Sequence, residues 1–194
     1  GILACIIEKV TNTYFTDFII ERLLKPLDID GSFRIEDIKN TKMVASLYTE
    51  KHVLNRNYER FMNYQFDRYP LGDNFRGPAG GLFISPKDLS KIMRLLMNKG
   101  VFEGKRYLSE SIIDDARQVH WQSDIPDGYY RKKGLQMAIM DNYGDRLYGH
   151  TGDAYGLKSF MLFNDDYGYI FFVNGAHFEL IPEDMCVIQH DYLE

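Results

Sequence analysis

Two unbroken apolar runs late in the chain, Leu157 to Phe163 and Tyr169 to Val173, constrain the fold more than any other stretch. Phe160, Met161, Leu162 and Phe163 show no polar alternation, and neither do Ile170, Phe171, Phe172 and Val173. Strands of this kind need cover on both faces, so they read as central strands with a layer above and a layer below. Asn164-Asp165-Asp166-Tyr167-Gly168 joins them, a run of turn formers closed by a glycine that tolerates positive φ. That is a hairpin signal.

The residues ahead of the hairpin supply the layers. Ile2, Leu3, Ile6, Ile7 and Val10 have the spacing of a helix with a broad buried face, ending near Thr11-Asn12. A second helix follows from about Tyr14 to Leu24, burying Phe15, Phe18, Ile19, Leu23 and the stem of Arg22, and Pro26 stops it. From Asp28 to Arg76 the periodicity is poor and the stretch is polar and rich in tyrosine; the irregular region runs on to residue 84. Ser85-Pro86-Lys87-Asp88 is a clear helix start, with a hydroxyl cap, a proline in the first turn and a carboxylate three residues on. Leu89, Ile92, Met93, Leu96 and Met97 form its predicted buried stripe, and Asn98-Lys99-Gly100 ends it. Another helix starts at the Ser109 cap with Ile112, Ile113 and Ala116 inward.

Beyond residue 133 the character changes to strands. Gly134 to Met140 is the first, Asp141 to Asp145 turns, Arg146 to Gly149 is the second, and the two apolar runs complete an antiparallel meander. Pro182 to Tyr192 carries a helical pattern through Met185, Val187 and Ile188. The fold class is therefore α+β, an antiparallel sheet flanked by helices plus a helical subdomain. Residues 1–133 form the mainly helical part, whose first helix packs with the sheet, and 134–194 form the sheet and the C-terminal helix.

Bulk properties exclude several function classes. With 45% hydrophobic and 14% aromatic residues the chain is not disordered. The 28 acidic against 23 basic residues give a net charge of −5, and no basic cluster offsets it, so nucleic acid is not the expected partner. No apolar run approaches the roughly 20 residues of a spanning helix. Cys5 and Cys186 read as two buried free thiols. His52, His120, His150, His177 and His190 are dispersed without metal-ligand spacing, so neither a metal nor another cofactor is expected.

Chemistry is concentrated in Arg146-Leu147-Tyr148-Gly149-His150-Thr151-Gly152-Asp153. His150 and Thr151 fall where a strand ends, and Gly149 and Gly152 remove side chains that would block a ligand's approach to the backbone. Gly149-His150-Thr151-Gly152 followed by Tyr155-Gly156 and the hairpin resembles the third motif of the serine β-lactamase and penicillin-binding-protein-like family, in its class C and esterase branch. Pro78 to Leu89 resembles that family's loop-to-helix junction, and Ile6 to Val10 with Lys25-Pro26-Leu27 resembles the helix pair that follows its second motif. The match keeps the family's order over essentially the whole chain.

The resemblance implies acyl transfer on a small or peptide-like substrate: a peptide, a β-lactam or an ester. His150 stands where a lysine or histidine assists, Thr151 offers its hydroxyl to the substrate, Gly152 permits close backbone approach, and the Asp153 backbone N–H is one of two oxyanion donors. Tyr48 and Tyr155 are candidates for the wall of the substrate site. Blander readings stand beside each: a strand-end histidine bonded to backbone, a threonine serving as a β-former, an aspartate shaping a turn, tyrosines that simply pack.

The family's nucleophile is missing from these residues. Its Ser-x-x-Lys motif does not occur, since Ser32, Ser46, Ser85 and Ser123 are followed at the third position by Ile35, Thr49, Asp88 and Pro126. Tyr-x-Asn is also absent. The expectation is that both lie upstream of Gly1, that this chain is the later part of a longer protein, and that alone it is inactive. Further expectations are an edge position for strand 146–152, where an extended substrate could add, dimerisation or strand exchange through exposed sheet edge or core, and, by resemblance, an extracytoplasmic address. A non-catalytic member of the fold that binds a ligand or partner is the alternative.

Overall fold

The computed structural model describes residues 1–63, 69–124, 131–141 and 144–175. The expected helix over 182–192, together with His177, Cys186 and His190, lies outside them. The chain divides into two compact units: Gly1–Tyr48 with Leu54–Lys91, and Thr49–Val53 with Ile92–Glu194.

Unit 1 opens with α1 (Ile2–Thr11), ended by Asn12 in the left-handed conformation. Its buried residues are Ala4 and Glu8, whereas Ile2, Leu3, Ile6 and Val10 are exposed. The expected apolar face is thus the outer one. The reason is an anchor on the opposite side: the Glu8 carboxylate accepts from the backbone N–H groups of Phe15 and Gly72, two donors that would otherwise be stranded by burial. The next helix, α2 (Phe15–Ile19), continues as a π-helical turn over Ile20–Leu24 and a 3-10 turn over Lys25–Leu27. Pro26 therefore sits inside the last turn and does not precede the stop. The wide turn advances the phase by one residue, so Leu24 and Leu27 are buried where a regular helix would bury Leu23.

Short elements follow. β1 (Gly31–Ser32), β2 (Leu47–Tyr48), β3 (Leu54–Arg56), α3 (Tyr58–Met62) and β4 (Phe83–Ile84) form two small antiparallel pairs, β1 with β4 and β2 with β3. α4 (Pro86–Met97) starts as expected, with Ser85 Oγ accepting from the Asp88 N–H at 3.0 Å. It ends with Gly100 N–H on the Leu95 carbonyl and Lys99 N–H on that of Leu96, the paired bonds that close a helix through a left-handed residue.

Unit 2 continues with β5 (Val101–Phe102), β6 (Lys105–Arg106) and α5 (Glu110–Ala116), the last capped by Ser109. Ile113 and Ala116 are buried, but Ile112 is exposed. Among the described residues its antiparallel sheet has six strands in the order β12-β11-β10-β9-β8-β7. The strands are β7 (Trp121–Gln122), β8 (Lys132–Lys133), β9 (Ala138–Met140), β10 (Leu147–Ala154), β11 (Leu157–Phe163) and β12 (Gly168–Asn174). The single strand expected from Gly134 to Met140 is in fact a turn, with Gly134 N–H on the Met137 carbonyl, leading into β9.

One face of this sheet carries the core of Ala138, Met140, Leu147, Phe160 and Leu162, with Tyr169 and Phe171 against it. The Phe160 and Phe171 rings stack at 5.1 Å. On the other face, at the base of β10, Arg117 lies over the rings of Tyr148 and Phe163 at 5.0 and 5.5 Å. Its side chain is 8% exposed and reaches Asp165 and the Leu96 carbonyl. The base of the hairpin is thus covered on both faces. β12 is the terminal strand among the described residues and is half-buried along most of its length.

Candidate functional site

The geometry of β10 follows from the turn that ends it. Ala154 pairs with Leu157, so the loop is Tyr155 and Gly156 alone, with φ of 59° and 89°. Two positive φ values define a type I′ turn, whose twist suits the flanking strands. Such a turn makes Ala154 and Leu157 a hydrogen-bonded pair, and the two kinds of pair then alternate down the ladder. Gly152 and His150 consequently direct their amides at β11. Asp153, Thr151 and Gly149 direct theirs to the opposite flank, the side of β9.

That flank is shared unequally. β11 pairs with β10 from Tyr148 to Ala154, whereas the β9 ladder covers only Leu147 to Gly149. The expected edge strand is therefore corrected: at its base β10 lies between two strands, and the β9 ladder stops where the polar motif begins.

Side chains alternate across the sheet. Thr151 and Asp153 share the face of Leu147 and the core; Tyr148, His150 and Gly152 share the other. Thr151 is half-buried and His150 exposed. His150 Nδ1 is bonded to the Thr151 carbonyl. A carbonyl oxygen only accepts, so Nδ1 carries a proton and donates it to that bond. The same bond draws the ring to the flank where the Thr151 backbone points, so imidazole and outward amides meet at one strand margin although His150 and Thr151 belong to opposite faces.

The two glycines answer to β11 as well. A Cβ on Gly149 would stand 1.9 Å from the Met161 carbonyl oxygen, and one on Gly152 would stand 2.6 Å from Ser159 Oγ. At Gly149 the obstacle is backbone, so any side chain there would push the strands apart, whereas at Gly152 it is a serine hydroxyl that rotation moves aside. Asp153 faces Lys158 across the ladder, and their charged groups are paired. Lys158 and Ser159 carry no motif signal, since they stand inside the run Leu157 to Phe163 whose dominant character is apolar. Their pairing is legible all the same, since a two-residue turn at Tyr155-Gly156 fixes every cross-strand partner.

Charges also brace the approach to β10. Asp141, at the end of β9, bonds Lys132 of β8 and lies 3.5 Å from Arg146; the Lys132 bond first, and the two positive charges with it, hold its carboxyl below the usual range. Tyr167 donates to Asp145 at 3.0 Å, which raises the phenol above its usual value. Of the other candidates, Tyr155 occupies the turn itself and is half exposed, and Tyr48 belongs to β2 in unit 1. Among the described residues no three His, Cys, Asp or Glu side chains group as a metal ion would need, and no helix is long and apolar enough to cross a membrane.

A margin of outward amides and a hydroxyl can hold a carbonyl group and the negative charge that develops on it. Residues 1–184 match the family described as Beta-lactamase. The chain belongs to the beta-lactamase family. Solved structures of the same fold include the octameric penicillin-binding protein homologue from Pyrococcus abyssi, 21% identical with a TM-score of 0.67 over 89% of this chain. The D-amino acid amidase from Ochrobactrum anthropi SV3 complexed with L-phenylalanine is 16% identical, with a TM-score of 0.64 over 90%. The D-stereospecific amidohydrolase from Streptomyces sp. is 18% identical, with a TM-score of 0.53 over 83%. The chain spans 36%, 46% and 43% of those three molecules. No curated protein matches it.

Proposed function

We propose that this chain forms one wall of the acyl-transfer site of a serine hydrolase, with a peptide, β-lactam or ester as substrate and water as the final acceptor. The observation that carries this reading is the outward set of amides on β10, with His150 tethered at the same margin. In this scheme the Asp153 N–H stabilises the oxyanion, Thr151 and His150 orient the substrate, and Gly152 lets it approach. The serine and its activating lysine come from polypeptide outside these 194 residues. Membership of the family, amidase and penicillin-binding-protein-like neighbours of the same fold, and the absence of Ser-x-x-Lys from the sequence support that division of labour. An extracytoplasmic address and self-association through exposed apolar surface belong to the same proposal.

Turnover of nitrocefin and p-nitrophenyl esters tests it. Residues 1–194 alone should give none, and a longer polypeptide carrying the upstream motifs should give a burst and steady turnover. In that longer protein His150→Ala should lower kcat/KM by about a hundredfold or more. Turnover by residues 1–194 alone would mean that the nucleophile has been misplaced. A second reading, ligand binding without catalysis, draws on the acidic residue at 153 beside the motif. Stoichiometric ligand binding by the longer protein without turnover would establish it.

A further inference from the structure

Asp153 poses an electrostatic problem for the proposed chemistry. Its backbone N–H is the donor to a developing oxyanion, yet its own side chain is a carboxylate only a few bonds away. A negative charge so placed opposes the charge that the amide is meant to stabilise. The strand across the ladder holds the remedy. Lys158 is the direct partner of Asp153, its ammonium is bonded to the Asp153 carboxylate, and both side chains project from the same face of the hairpin.

The pair is asymmetric in a way that matters. The Lys158 side chain is 13% exposed and that of Asp153 is 65% exposed. Packing therefore fixes the cation, and the cation holds the exposed acid. Exposed ion pairs contribute little to stability because two long side chains must be ordered and water competes for them. Here the lysine stem is already ordered by burial, and what the pair provides is local charge balance. The next rung keeps the same register, with Gly152 directly opposite Ser159.

We propose that Lys158 is a positioning residue that neutralises and pins the Asp153 side chain, so that the adjacent amide meets the oxyanion in a field free of net negative charge. The proposal rests on the hydrolase reading and adds to it a residue that touches no substrate. It assigns the acid at 153 a tolerated place in a catalytic strand, through its partner five residues on.

The test is a double-mutant cycle in the full-length protein with an uncharged p-nitrophenyl ester. Lys158→Met keeps the buried stem and removes the charge; kcat should fall by about tenfold or more, with KM nearly unchanged, because the unmasked carboxylate acts on the charged transition state. Lys158→Arg should restore most of the loss. Asp153→Asn should raise kcat above wild type, since an unopposed ammonium then faces the oxyanion. The double variant Lys158→Met with Asp153→Asn should recover most of what Lys158→Met lost. If instead both single variants lose activity equally and the double variant is no better, the pair is only a structural clasp and the proposal is overturned. An active wild type with unimpaired Lys158→Met also overturns it, leaving the hydrolase reading intact. A full-length wild type that turns over no ester overturns the hydrolase reading itself, and this proposal with it.

Discussion

Glu8 holds the backbone N–H groups of Phe15 and Gly72 at 2.9 and 2.6 Å while itself 3% exposed. Glu8→Ala strands both donors, each worth roughly 1–3 kcal/mol when buried without a partner, whereas Glu8→Gln keeps one acceptor oxygen and should lose about half as much. Urea unfolding of the three proteins measures the order; equal midpoints would show that water replaces the carboxylate freely. Gly149→Ala makes the opposite kind of error, placing a methyl where the Met161 carbonyl stands. It should cost about 1–3 kcal/mol through overpacking, read as a lowered thermal midpoint. At this scale the sequence was informative about which residues cluster, since His150, Thr151, Gly152, Asp153 and Tyr155 lie in one hairpin. It was silent on Glu8, because a buried charge is recognised by its distant partner, and partners 64 residues apart leave no local pattern.

Among elements, the sheet was the most legible and α1 the least. Continuous apolar runs and a two-residue turn determine the meander of β10, β11 and β12 almost uniquely, and the Asn164 side chain closes the second turn by accepting from the N–H groups of Asp166 and Tyr167 at 2.9 Å. The apolar stripe of α1 was read as an inward face, but periodicity states only that a helix has two sides. Which side faces the core was decided by Glu8, not by the stripe. The π turn after α2 was equally invisible, for a one-residue change of phase has no compositional mark. The bond from Lys132 to Asp141 ties β8 to the end of β9. Because it holds the Asp141 carboxyl below its usual range, its stabilisation is present above the unfolded carboxyl's titration and is lost as pH falls through the lower, folded value. Asp141→Asn should therefore be less stable than wild type near neutrality, and the difference should shrink below about pH 4. Midpoints that differ equally at pH 7 and pH 3 would rule out that linkage.

For the whole molecule, family membership across residues 1–184 was foreshadowed by motif order alone, since no single motif was long enough to carry it. Unit 1 presents Ile2, Leu3, Ile6 and Val10 of α1 and Phe75, all exposed, and Ile2, Ile6, Val10 and Phe75 line one shallow apolar depression with Cys5 and Lys9. Contiguous apolar surface of this kind favours association. Light scattering of residues 1–194 should show a concentration-dependent rise in mass, abolished by Ile6→Asp with Val10→Lys; a constant monomer mass would count against it. In unit 2, Gly149 of β10 lies hard against the backbone of β11. A zipper slipped by a single tooth would turn the amides of Thr151 and Asp153 inward against β11 and send the imidazole to the wrong side. Only a residue without a side chain fits at position 149 in the register where it meets the Met161 carbonyl, so the close approach of the two strands and the outward aim of the neighbouring amides stand or fall together.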